Sequence, residues 1–117
     1  MQLLRAQAIQ AGVAGHADEA LTKWKLAKGK ADQLGVPELI VDTGLAYTLA
    51  LLENGKTAEA SALSGELSAW APLDWRVAWA QACLYRVQGR MEAWETYRRK
   101  AQELAGDRIL VGPRAFP

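Results

Sequence analysis

The sequence predicts an all-α fold of three helix pairs followed by a non-helical tail, and three observations carry that expectation. One turn is written three times, around Gly15, Gly55 and Gly89, at separations of 40 and 34 residues. Each glycine precedes a short polar stretch and a Glu-Ala pair: Glu19-Ala20, Glu59-Ala60 and Glu92-Ala93. Self-similarity at this period marks a helical-repeat array. Apolar residues between the turns recur at the +3/+4 spacing of a helix face. Ala and Leu dominate the 117 residues and only 4 are Pro, a composition that favours helix almost throughout.

Taken in order, the segments read as helices over 2–13, 17–34, 38–53, 57–70, 74–87 and 91–105. The first runs in helical pattern up to the Gly15 turn. The second carries the stripe Ala20, Trp24, Ala27, Ala31, Leu34 and stops at Gly35-Val36-Pro37, where Pro37 suits the first turn of the next helix. The third carries Ile40, Gly44, Tyr47 and Leu51; the fourth carries Ala60, Leu63, Leu67 and Trp70 and is closed by Pro72. Asp74 is the N-cap expected for the fifth, whose stripe is Trp75, Ala78, Ala82 and Tyr85. The sixth shows Trp94, Tyr97, Ala101 and Leu104 and ends at Gly106. Short joints force two helices together at their near ends, so Ala20, Ala60 and Ala93 are expected at points of close approach.

Bulk properties narrow the function. Net charge is +1, so no overall field draws the chain to nucleic acid or to an anionic membrane. A single Cys leaves no intramolecular disulfide, and there is neither an apolar leader nor an 18-residue apolar run. A soluble cytoplasmic protein is the expectation, as one domain of about 1–36, 37–72 and 73–106 plus a tail at 107–117. The same chain also reads as a module of a larger protein.

The third unit resembles the tetratricopeptide repeat, a helix pair: Trp79, Tyr85, Gly89, Ala93, Tyr97, Ala101 and Leu104 follow that family's order of aromatic, aromatic, Gly, Ala, aromatic, Ala. One residue is missing between Gly89 and Ala93. The second unit shares Gly55, Ala60 and Pro72, with Ser64 where the family has an aromatic; the first shares Gly15, Ala20, Trp24 and Ala27 with a longer second helix. The resemblance implies a right-handed superhelical array of antiparallel pairs whose concave face is lined by the first helix of each pair. It implies a groove for a peptide or a partner's helix. Its lining positions map onto Arg5, Ile9 and Val13, then Asp42, Leu45, Leu49 and Glu53, then Arg76, Trp79, Cys83 and Arg86. The family's grip on a terminal carboxylate needs polar donors where this chain has Leu45, Leu49, Trp79 and Cys83. An apolar groove rimmed by Arg5, Arg76 and Arg86 suits an amphipathic or acidic-apolar segment instead. The same leucines would serve equally as the core of a short stack.

Other features point away from chemistry. Trp70, Trp75 and Trp79 form a dense aromatic patch that either wedges adjacent units or makes a pocket. Tyr97-Arg98-Arg99-Lys100 reads as a solvated helix face beside Glu92, Glu95 and Glu103. His16 and Cys83 have no partners at ligand or catalytic spacing, and no phosphate loop or nucleophile elbow occurs. No enzyme activity, cofactor or metal is expected. The tail is expected to fold back over the sixth helix. Protein interaction is the first functional expectation. The second is a regulatory or sensory segment of a larger bacterial regulator, binding a small ligand or controlling a neighbouring domain. The third is self-association through exposed terminal helices.

Overall fold

The structure, a computed structural model, describes residues 2–110. Within them lie six helices and no strand: α1 (Gln2–Val13), α2 (Ala17–Leu34), α3 (Pro37–Glu53), α4 (Thr57–Trp70), α5 (Trp75–Val87) and α6 (Met91–Ala105). Pro37 opens α3, and Asp74 stands before α5 as its N-cap, its carboxylate accepting the Arg76 backbone N–H at 2.9 Å. Both fit the local chemistry, because a helix's first N–H groups have no partner inside the helix.

The three joints share one hydrogen-bond pattern. Gly15, Gly55 and Gly89 have φ of 82°, 73° and 76°, a left-handed turn that costs glycine little. The next residue donates its N–H to a carbonyl five residues back: His16 to Ala11 at 2.8 Å, Lys56 to Leu51 at 2.9 Å, and Arg90 to Tyr85 at 2.9 Å. That bond closes the outgoing helix. The carbonyls of these same residues open the incoming helix, accepting from Ala20, Ala60 and Trp94 at 2.9, 3.0 and 2.9 Å.

This pattern corrects the sequence register in the third joint. Counting five residues from each glycine gives Ala20, Ala60 and Trp94, so Trp94 occupies the place that Ala93 was expected to hold. Ala93 is only half-buried, whereas Ala20, Ala60 and Trp94 are buried. The indole fits because the face opposite it is aromatic: its ring lies 5.5 Å from Trp79, and the Arg86 guanidinium sits 5.0 Å above it. Three stripe ends also depart from expectation. Leu34 is 61% exposed, Trp70 is 50% exposed and Leu104 is 37% exposed, with Ala105 buried beside it instead. Each lies in the last turn of its helix.

Each helix packs on the next, and α3 also packs on α5. The main core joins Val41, Leu45, Leu51 and Leu52 of α3, Ala60, Leu63 and Leu67 of α4, and Val77, Ala80, Cys83 and Leu84 of α5. A smaller cluster of Ala8, Trp24 and Ala27 seats α1 and α2 against Ala46, Tyr47 and Ala50 of α3. Cys83, expected along the groove, is fully buried in the main core, where burial pushes its thiol up to about 12. At neutral pH it is an unreactive thiol.

A buried cation fastens α2 to α4. Lys28 is 6% exposed, and its Nζ donates to Asp32 at 2.6 Å and to Glu66 at 3.1 Å. Burial alone would lower its pKa, but the two carboxylates outweigh burial and hold it above the ordinary value of 10.5. A cation whose folded pKa is raised contributes its stability fully below the unfolded value and loses it as pH rises through the folded one. Tyr47, raised by burial and by Glu59, acts in the same direction. The part due to Lys28 is the difference between wild type and Lys28→Met. Urea melts between about pH 8 and about pH 11 should show wild type losing more stability than the variant. Parallel losses would mean that the ammonium contributes nothing to the fold.

Candidate functional site

The α3–α5 contact creates an apolar cleft of about 350 Å³ lined by Leu45, Leu49, Trp75, Arg76, Trp79, Ala80 and Ile109. Its geometry follows from helical spacing. Leu45 and Leu49 are one turn apart on α3, and Trp75 and Trp79 are one turn apart on α5, so each helix offers two side chains on one face. Leu45 is buried and forms the floor, since it belongs to the core as well. Leu49, Trp75 and Trp79 are half-buried and form the walls. Ala80 is small and fully enclosed, which deepens the cleft between the indoles.

The rim is polar and internally paired. Arg76 Nη1 donates to Asp42 Oδ1 at 2.6 Å, while its Nη2 and Nε donate to Asp74 at 2.8 and 3.2 Å. Asp74, and secondarily Asp42, raise the guanidinium's pKa. In return the Arg76 side chain holds the Asp74 carboxyl below its ordinary value, against the opposing pull of partial burial. This corrects the expectation of a cationic rim, since two carboxylates surround one guanidinium at this edge. Arg86 lies over Trp94 rather than along the cleft. An acidic partner therefore finds no free cation here from Arg76.

The remaining candidate positions lie elsewhere. Ile9 and Glu53, with Val13, line a second cleft of about 440 Å³ between α1, α2 and the end of α3, together with Trp24, Ala50 and Asn54. Arg5 is half-buried on α1 and lines neither cleft. Asp42, Leu45, Leu49, Arg76 and Trp79 thus converge at one place, Ile9 and Glu53 at another, and Arg5 and Arg86 at neither. Sequence reasoning grouped Trp70 with Trp75 and Trp79, but Trp70 stands half exposed at the end of α4, off the cleft. Three cleft residues, Trp75, Ala80 and Ile109, were not among the candidates. Trp75 was signalled by its +4 spacing to Trp79, whereas Ile109 had no local signal because the turn at Gly106 brings it there.

The other candidates are satisfied locally. Arg98 and Arg99 reach Glu95 at 2.7 and 3.8 Å, and Lys100 lies over the Tyr97 ring at 5.7 Å. His16 Nδ1 is 3.6 Å from Glu19. No group of three or more His, Cys, Asp or Glu able to hold a metal occurs among the described residues, and none of their helices is long and apolar enough to cross a membrane. No model of a known protein family matches the chain, nor does any curated protein or solved structure.

Proposed function

We propose that the six helices form a tetratricopeptide-like array, a right-handed superhelix of three antiparallel pairs, and that the protein is an interaction module. In this reading it grips a peptide or helix of a partner protein in the cleft between α3 and α5, and it performs no chemistry itself. The three like-bonded joints support the array, as does the packing of α3 on α5 across the helix between them. The observation that carries the function is the convergence of Leu45, Leu49, Trp75 and Trp79 on one open apolar cleft. Half-buried aromatic surface with a paired polar group at one edge suits an interface anchor site, where one bulky apolar side chain is desolvated and the polar edge sets orientation.

A displayed library of peptides about four helical turns long tests the reading. Enriched peptides are expected to carry apolar anchors one turn apart, matching the two-by-two lining of the cleft. Leu49→Asp is the informative variant. Leu49 is half-buried and stands outside the main core, so the fold should persist with unchanged helix content. A carboxylate there would face the entering apolar group, and affinity should fall by at least about tenfold. Trp79→Ala is less clean, because Trp79 also supports Trp94. Peptides that bind Leu49→Asp as tightly as wild type would place the site elsewhere.

A further inference from the structure

A second cation stands at the α3–α5 cleft. Gly106 reverses the chain after α6 at φ 68° and ψ −122°. Gln102 Nε2 then donates to the carbonyls of Gly106 at 2.7 Å and Arg108 at 3.0 Å, and Arg108 Nη1 donates to the Ala105 carbonyl at 3.0 Å. These bonds set 106–108 against the end of α6. The Arg108 guanidinium consequently lies 5.6 Å over the ring of Trp75, a wall of the cleft, and the next residue, Ile109, lines the cleft itself. Backbone carbonyls and an indole place this cation, not an acidic neighbour. The tail expected over α6 is described only as far as Leu110; 111–117 lie outside the described residues.

Asp42, Asp74, Arg76 and Arg108 together carry no net charge, but pairing divides them. Arg76 engages both carboxylates. Arg108 has no carboxylate within ion-pair distance among the described residues, and of its N–H groups only Nη1 has an acceptor there. Its Nε and Nη2 edge, which can hold a carboxylate in two parallel bonds, is left open. Trp75 and Arg76 are successive residues, about 100° apart around α5. The closed cluster and the open cation therefore start from different sides of that helix's first turn.

We infer that Arg108 selects the partner: the segment entering the α3–α5 cleft carries an Asp or Glu side chain about one helical turn from an apolar anchor, and that carboxylate pairs with Arg108. The inference rests on reading the cleft as the binding surface. Trp75 is at once a wall for the anchor and the platform for the cation, so anchor and acid must be near neighbours on the ligand. Residues three or four apart on one helix face meet that demand. The indole shields one face of the guanidinium without neutralising it, and an entering segment shields more, so this pair is screened less than one on open surface. The arrangement also sets polarity. A carboxylate turned toward Asp42 and Asp74 would meet like charge and compete with them for Arg76.

The test compares the full wild-type chain with full-length Arg108→Gln and Arg108→Glu, using one library-enriched peptide amidated at its C-terminus so that its only carboxylates are side chains. That peptide should carry Asp or Glu three or four positions from an anchor. Arg108→Gln should weaken binding roughly fivefold and remove most of its salt dependence. Arg108→Glu should weaken it at least about tenfold. Replacing the peptide's acid by Lys should then restore binding to Arg108→Glu while weakening binding to wild type. This reciprocal rescue separates pairing from the bond that Arg108 makes to Ala105, which no change in the peptide can repair. Equal Kd values for all three proteins, with binding still lost in Leu49→Asp, would overturn the role of Arg108 and leave the cleft's role intact. Binding that needs a free C-terminus in place of the amide would overturn the side-chain assignment. A peptide indifferent to Leu49→Asp, or a library without binders, would overturn the cleft reading and this inference with it.

Discussion

Leu67→Ala is expected to lower stability by about 3 kcal/mol, which corresponds to a fall in melting temperature of roughly 10 °C. Leu67 is fully buried at the α3–α4 contact, and its side chain is seated in the notch left by Gly44. A methyl group built onto Gly44 would stand 2.6 Å from Leu67 Cδ2 and 3.1 Å from Cδ1. Truncation loses the transfer free energy of the isobutyl group and leaves a cavity that two rigid helices can close only in part. The pairing makes a second expectation possible. Gly44→Ala alone pushes Leu67 from its seat, but combined with Leu67→Ala the added methyl has room and gains helix propensity of about 1 kcal/mol. The double variant should therefore be more stable than Leu67→Ala. A double variant that is less stable by the sum of the two single losses would show that the residues do not share this space.

Trp94→Ala should cost a comparable amount, about 3–4 kcal/mol. Its ring is buried, tilted against Trp79 at 5.5 Å and covered by Arg86, so both of these side chains lose a contact when it is removed. The same joint predicts contrasting tolerance at the neighbouring alanines. Leucine at Ala20 or Ala60 would have to enter filled space at a near end of two helices, whereas leucine at half-buried Ala93 should cost little. Urea melts of Ala60→Leu and Ala93→Leu measure this directly. Equal losses would return Ala93 to the close contact.

These expectations show which physics is local and which is not. The six helices were legible because their ends depend on residues adjacent in sequence: glycines with positive φ, Pro37 in a first turn, and Asp74 bonded to the N–H of Arg76. The third joint was misread because Glu92-Ala93 imitates the Glu-Ala pairs of the other two, while backbone bonding counts from the glycine and selects Trp94. Lys28 was hidden in a lysine-rich run; its partner Glu66 is 38 residues away. The pairing of Arg76 with Asp42 spans 34 residues and converts a supposed cationic rim into a closed ion pair. Leu45, Leu49 and Trp79 were placed on one face by resemblance and spacing. That Arg5 and Arg86 lie off the cleft depends on how the units pack, which no single helix encodes.

The central claim is that the cleft between α3 and α5 is the face that binds. Five tryptophans provide separate reporters, because Trp75 and Trp79 line this cleft, Trp24 lines the other one and Trp70 lines neither. Titrating a library-enriched peptide while recording indole NMR signals therefore locates the contact in one experiment. The predicted result is that Trp75 and Trp79 shift, with Trp94 following through its contact with Trp79, while Trp24 and Trp70 stay in place. Movement of Trp24 with Trp75 and Trp79 unchanged would contradict the claim and assign binding to the cleft of Ile9 and Glu53.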